Sequence, residues 1–432
     1  MTKSPNLNSR HYFKMPNLKN KKSKIRVALV QDYIKEFGGA ESVLETLSDI
    51  FPTSPIYTSI YRPKFLGPHQ ERLEKKWNHR IHQSFFQYIP FAQKIISPLR
   101  LLSPLAFKSF DFSKFDLIIT SATGAYFPNS LNKKSAKLIC YCHTPPRYLY
   151  GLPTARKFTQ NKFIKFFINI INHFLRLWDF RYSQNVDQYI ANSRTTAARI
   201  QKFYRKQPFI INPPVELPDV ALAKAGRRDS IVINPPVELP KKVLRPPFSR
   251  EEGALREGGF FLAGGRLAQA KRFDIAIQAC NQLGLKLKIF GRDFSGVLDQ
   301  LKKITASSAK AFAVAESNIK FVGEVNQDEK AKLYQNAQAF IFSADQEDFG
   351  IVPVESMAYG CPVIAYRSGG VTETVIDGKT GVFFDKLTAD SCATSIKKFQ
   401  KLKIKPTDCI SRASEFSTEK FIFKIKNLVS SI

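Results

Sequence analysis

Apolar residues in this chain gather in short unbroken runs, and the stretches between them carry helical spacing. Short runs with no polar alternate suit strands buried on both faces of a parallel sheet. Residues 25–30 (IRVALV), 56–58 (IYT), 115–120 (FDLIIT), 137–141 (KLICY) and 188–191 (QYIA) make one such series. Residues 260–265 (FFLAGG), 286–291 (KLKIFG), 319–323 (IKFVG), 339–342 (AFIF) and 362–366 (PVIAY) make a second. A helix is predicted after Glu41, to about 51. Another opens at 351, with Pro353 in its first turn, where the missing N–H is harmless, and stops at Gly360 and Pro362. Residues 415–428 have helical periodicity. Two series of strands alternating with helices predict an α/β protein built on parallel sheets.

Two stretches leave a choice open. Residues 81–110 mix Phe, Ile and Leu with Lys and Arg, and prolines at 90, 98 and 104 break them into short helices. Residues 162–178 (KFIKFFINIINHFLRLW) are apolar with basic punctuation. Each reads either as internal helix with a basic outer face or as a surface that meets a membrane.

Composition narrows the class. With 432 residues the chain can hold two domains with full cores. No apolar run is long enough to span a bilayer. Residues 1–24 form a basic arm without the apolar core of a secretory signal. Lys and Arg number 66 against 36 Asp and Glu, a net charge of +30, which calls for anionic company. No zinc finger, helix-turn-helix charge pattern or RNP string is present, which disfavours nucleic acid. An anionic membrane surface or an anionic substrate remains, and the 37 Phe favour the membrane. Six scattered Cys, with no zinc-like spacing, predict a reduced, cytoplasmic protein.

Candidate chemistry collects at strand ends. After 339–342 the chain turns through Glu347, Asp348, Phe349 and Gly350 into a helix. Backbone N–H groups of Gly350, Ile351 and Val352 can receive an anion there. Glu347 precedes the helix and Glu355 lies one turn inside it, so two carboxylates can grip hydroxyls at two ends of a ligand. Such a pair alone reads rather as a capped helix with solvated glutamates, since acidic residues are common near helix N-termini. Gly38 and Gly39 make a tight turn after the first strand, without the GxGxxG fingerprint. His143 follows the 137–141 strand, where open α/β sheets bind ligands. Arg147 beside it is either a phosphate ligand or a surface arginine. Arg266 and Lys271 stand five residues apart at a strand end and can clamp a diphosphate, or form a solvated basic loop.

The string DQEDFGIVPVESMAYGCPVIAYRSGG (345–370) resembles the E-x7-E signature of retaining glycosyltransferases of family 4. GGVTE (369–373), DGKTG (377–381), GGAE (38–41), CHTPPRY (142–148) and the Arg266-x4-Lys271 pair resemble the same family. The likeness runs from about residue 25 through nearly the whole chain. It implies an α/β protein of GT-B fold, two Rossmann-like parallel-sheet domains facing a cleft, with the acceptor on the first domain and the donor mainly on the second. It implies roles as well. Arg266, Lys271 and the amides of 350–352 meet the diphosphate, and Glu347 holds the sugar. Glu355 holds the ribose, and His143 approaches the transferred sugar. Gly38 and Gly39, at the cleft, and Phe349 are donor-binding as well. No metal and no cofactor is implied. The branch it most resembles includes bacterial GDP-mannose-dependent mannosyltransferases of surface-polysaccharide assembly, with a glycan or lipid-linked saccharide as acceptor. Two other readings stay open: a non-catalytic membrane-associated scaffold derived from such an enzyme, and a transferase using a UDP- or ADP-sugar.

The implied domains are 25–208 and 260–413, with a linker at 209–259 and a terminal helix at 414–432 crossing back to the first domain. INPPVELP occurs at 211–218 and again at 233–240. Family members carry one NPPV where the chain passes between domains, so one copy occupies that place and the other loops out. Residues 250–259 read as a second surface insertion.

Overall fold

The computed structural model describes residues 25–77, 79–89, 98–154, 161–218, 259–293, 296–312 and 318–431. The first sheet holds β1 (Val27–Gln31), β2 (Ile56–Thr58), β3 (Ile81–Gln83), β4 (Leu117–Ala122), β5 (Lys137–Cys142), β6 (Gln188–Ala191) and β7 (Phe209–Ile210). Their order is β3-β2-β1-β4-β5-β6-β7, and every neighbouring pair is parallel. The second sheet holds β8 (Phe260–Gly264), β9 (Leu287–Phe290), β10 (Ile319–Gly323), β11 (Ala337–Phe342), β12 (Val363–Tyr366) and β13 (Gly381–Phe384). Its order is β10-β9-β8-β11-β12-β13, again all parallel. These are two Rossmann-like domains, as the family resemblance implies, and ten of their strands fall on the apolar runs. β1 and β4 are buried along their whole length, as a sheet covered on both faces requires.

Strand order reverses beside the first strand of each sheet, between β1 and β4 and between β8 and β11. Loops after those strands diverge there and leave a crevice at the carboxyl edge. All candidate site loops leave from that edge: 32–38, 123–127 and 143–153 in the first domain, 265–272 and 343–350 in the second.

Several boundaries differ from the pattern. β1 and β4 each begin two residues later than the apolar runs, because Arg26 and Asp116 pair at 3.1 Å just outside the sheet. β3, β7 and β13 were not evident. β3 and β7 are edge strands of three and two residues, too short to show a period. The helix Lys162–Gln184 runs beyond residue 178 because Leu175, Asp179 and Ser183 continue one buried stripe in steps of four. Within 81–110 the described residues form 3-10 turns at Phe85–Tyr88 and Pro98–Leu102 and a helix at Ser103–Lys108.

The two domains exchange chain. The helix Thr418–Ser430 inserts Phe421 and Ile425 into the first domain's core, beside Leu29, Leu44 and Ile56. Residues 211–218, the first copy of the repeat, make the opposite crossing. Val215 donates its N–H to the Phe416 carbonyl at 3.1 Å and packs in the second core with Leu262 and Phe349. The second copy at 233–240, the arm at 1–24 and residues 250–258 lie outside the described residues.

Candidate active site

The loop after β11 carries the acidic string, and the chain holds it from three sides. From behind, Gly369 and Gly370 press against it: a Cβ on Gly369 would stand 2.3 Å from the Glu347 carbonyl oxygen. With φ at +73°, Gly369 is doubly closed to other residues. From below, Ser343 Oγ donates to the carbonyls of Lys271 and Arg272 at 3.1 and 2.7 Å, tying this loop to the one after β8. From across the cleft, the first domain grips it with two arginines.

That grip centres on Asp348. Arg147 Nη2 lies 2.8 Å from Asp348 Oδ1, and Arg199 Nη1 pairs with the same oxygen. Both guanidiniums also donate to the Gln346 carbonyl, at 2.9 and 3.0 Å. Ser193 Oγ donates to the Asp348 carbonyl. Glu347 is thus bracketed on both sides by bonds to the other domain. A second crossing lies nearby. The Glu373 carboxylate accepts from the N–H groups of Arg194 and Thr195 at 2.7 and 2.8 Å, and from Thr195 Oγ1 at 2.8 Å. It caps the first-domain helix Arg194–Tyr204 from the second domain, next to that helix's own cap Ser193.

Glu347 meets Lys271 Nζ at 2.6 Å. Burial by itself would raise its pKa. Lys271, Arg147 and Arg266 outweigh burial and hold it down to about 2, so Glu347 is ionised at any physiological pH. Arg266 reaches across to Glu36 of the first domain at 3.2 Å, with its side chain half exposed. Sequence-adjacent Gly265 lies under Val352, whose Cγ2 would be 3.6 Å from a Cβ there. The helix Ile351–Ala358 starts at Gly350, in the left-handed region at φ 85°, with no side-chain cap. Its first amides therefore stay available to an anion beside the Arg266–Lys271 loop. Gly39 of the opposite domain approaches the same helix start so closely that a Cβ would sit 2.7 Å from Ile351 Cδ1.

The remaining candidates are placed differently. Glu355 is held by Lys330 Nζ at 3.0 Å and by the Tyr334 hydroxyl at 3.3 Å, both on Oε2. Phe349 is buried in the second core against Phe416 and presents no ring to the cleft. His143 Nε2 and Ser121 Oγ share a hydrogen bond of 2.9 Å, and burial lowers the imidazole pKa to about 3. His143 is therefore neutral. Among the described residues its side chain makes no hydrogen bond with Glu347, Arg266 or Lys271. Gly38 lies beside Glu41, which burial and then Glu36 push up to about 8. A carboxylic acid kept neutral in this way donates a hydrogen bond as well as accepting one.

Sequence reasoning missed Glu36, Arg199, Asp348 and Glu373. Asp348 and Glu373 stood inside strings already singled out. Arg199 lies on a helix of the other domain, 149 positions from its partner, and nothing local signals it.

A cleft between two parallel-sheet domains, with cations, an uncapped helix start and an ionised carboxylate on one wall, defines a class of group-transfer enzyme. Residues 37–217 match the Glycosyltransferase Family 4 model and residues 246–416 match the Glycosyl transferases group 1 model. Together they take in most of both domains, and the chain belongs to these glycosyltransferases of GT-B fold. It is 24% identical over 308 residues to the alpha-1,3/1,6-mannosyltransferase ALG2 of Dictyostelium discoideum, covering 67% of this chain and 68% of that protein. It is 26% identical over 292 residues to the protein of the same description from Schizosaccharomyces pombe, covering 63% of this chain but only 52% of that protein. Anabaena HepE, solved in complex with UDP and glucose, superposes with a TM-score of 0.61 at 17% identity, over 95% of this chain and 100% of that one. That is a likeness of fold.

Proposed function

We propose that this chain is a retaining, metal-independent glycosyltransferase that moves mannose from GDP-mannose onto a glycan or lipid-linked saccharide. It would work at the cytoplasmic face of a membrane, in polysaccharide assembly. The observation that carries the reading is Glu347, held ionised between Lys271 and Arg147 beside the uncapped start of Ile351–Ala358. Mannose is supported by the mannosyltransferase activity in the names of the two relatives and by the motifs of the family branch.

In this reading Arg266, Lys271 and the amides of Ile351 and Val352 take the diphosphate. Lys271 then leaves or shares its contact with Glu347, which is free to accept hydrogen bonds from the sugar hydroxyls. The bond from C1 to the phosphate oxygen breaks, and the acceptor oxygen forms its bond to C1 on the same face. The departing phosphate takes the acceptor's proton. Charge grows on that phosphate in the transition state, so fixed cations there lower the barrier. Glu347 stabilises positive charge on the ring and need not attack it, unlike the nucleophile of a glycosidase. Glu355 takes the ribose hydroxyls on its Oε1, while Lys330 and Tyr334 fix Oε2.

A uridine donor is the second reading, favoured by the UDP complex of the fold relative HepE. Thermal shift against GDP, GDP-mannose, UDP and ADP, each with chelator, separates the two. Stabilisation by GDP and GDP-mannose alone, lost in Arg266→Ala, supports the proposal. Stabilisation by UDP instead replaces the donor. No response to any nucleotide overturns the enzyme reading in favour of a non-catalytic scaffold.

A further inference from the structure

The helix Lys162–Gln184 is built unlike any other in the described structure. It has 23 residues, about 34 Å of helix at 1.5 Å per residue, and only Leu175, Asp179 and Ser183 are buried. No residue from 162 to 174 is buried. Ten of its large apolar side chains are exposed, among them Phe163 (80%), Phe166 (62%), Phe167 (63%), Phe174 (57%) and Trp178 (43%). Monomeric proteins rarely leave such a surface to water.

Charge says what covers it. From residue 117 to 178 the sequence has no Asp or Glu and nine Lys or Arg. Lys162, Lys165, Arg176 and Arg181 lie on the helix itself, and its single acidic residue, Asp179, is buried. A second copy of this chain would bring cations against cations. An anionic lipid surface accepts both features, taking the rings between its acyl chains and the ammonium groups at its headgroups. The helix does not cross the bilayer: no described helix is long and apolar enough, and its last three turns are anchored to the domain.

The anchor points at the cleft. Leu175 packs against Phe127 and Leu149, and Arg176 Nη1 donates to the Leu149 carbonyl at 3.1 Å. Those residues belong to the loops after β4 and β5, and Arg147 of the second loop touches the Glu347 loop. Lys108 over the Tyr182 ring at 5.4 Å extends the patch to exposed Leu101, Leu102 and Leu105. We propose that the helix Lys162–Gln184 lies flat in an anionic membrane surface through Phe163, Phe166, Phe167 and Phe174, and holds the acceptor side of the cleft there. This goes beyond the donor reading and does not depend on it.

The two tryptophans make the test direct, since Trp77 is 1% exposed and Trp178 sits on the proposed surface. The full chain is titrated with vesicles of phosphatidylcholine containing phosphatidylglycerol, and with phosphatidylcholine alone. The expected result is a saturating blue shift with the anionic vesicles, abolished by Trp178→Phe while co-flotation persists. Phe163→Ser/Phe166→Ser/Phe167→Ser and Lys162→Glu/Lys165→Glu should each weaken binding by roughly tenfold or more, as should raised salt. These positions are exposed, so both variants should keep the wild-type nucleotide thermal shift and melting temperature. No blue shift, or equal binding to neutral vesicles, overturns the proposal. So does a dimer in sedimentation that the triple Phe variant dissociates while wild type ignores vesicles. Vesicle binding needs no nucleotide, so it can hold where the donor reading fails, and fail where that reading holds.

Discussion

Asp348→Ala should open the enzyme without unfolding it. The carboxylate carries Arg147 and Arg199 together, and the side chains of Arg199, Arg147 and Asp348 are only 9%, 18% and 20% exposed. Removing one member of a buried pair costs about 3–5 kcal/mol, largely because the partner charge stays buried and unpaired. Some solvent reaches this cluster, so the lower end applies, about 3 kcal/mol. Each of these bonds runs between domains, so the loss falls on the closed arrangement, not on either core. About 3 kcal/mol is roughly a hundredfold in the ratio of closed to open molecules. Small-angle scattering should show a larger radius of gyration, and kcat/KM for sugar transfer should fall by up to that factor. Arg199→Lys keeps the charge but loses the fork to the Gln346 carbonyl, and should give an intermediate effect. An unchanged scattering profile together with kcat/KM within about twofold of wild type would refute the reasoning. A lowered melting temperature with an unchanged profile would also refute it, by placing the energy in folding.

Glu347→Gln should leave the fold intact and cut kcat far more than nucleotide affinity, measured by comparing turnover with calorimetric binding. The depressed pKa of Glu347 contributes stability that is full above the unfolded carboxylate pKa of about 4.3 and is lost as pH falls toward about 2. Acid unfolding monitored over that range should flatten in the Gln variant. Glu41 has the opposite sign. Its pKa is raised to about 8, so the folded state holds a proton that the unfolded state releases, and stability falls as pH rises from about 4.3 to 8. Glu41→Gln should remove that part of the slope in denaturant titrations at several pH values. Phe421→Ala, in the terminal helix, should destabilise the first domain by about 3–5 kcal/mol through the cavity it leaves, seen as a lowered midpoint for that domain.

Ten of the thirteen described strands were legible because apolar runs closed by Gly or polar turns mark buried parallel strands. The helix start at Gly350 was legible for a similar reason, since Gly, then Pro353, can be placed on a helix without tertiary knowledge. The three strands that were missed, β3, β7 and β13, all lie at sheet edges. β3 and β7 are too short to show a period, and Phe349, read among the donor ligands, turned inward because its ring completes the second core against Phe416.

By itself, the sequence determined most of the strands and the loops that carry Glu347, Glu355, Arg266 and Lys271, because strands, caps and charged loops are properties of a few consecutive residues. Local order did not single out those four side chains; only the family resemblance did. Only the tertiary structure decided how those groups pair. It set Lys271 on Glu347 and Lys330 with Tyr334 on Glu355. It clamped Asp348 between Arg147 and Arg199, and it put the first INPPVELP copy, not a free choice of two, against Phe416. Electrostatic partners are chosen by distance in space, and these partners stand tens to hundreds of residues apart in the chain. The same is true of the exposed helix Lys162–Gln184. Its apolar face was evident in the sequence, but that the described residues leave it exposed is decided only by the tertiary structure.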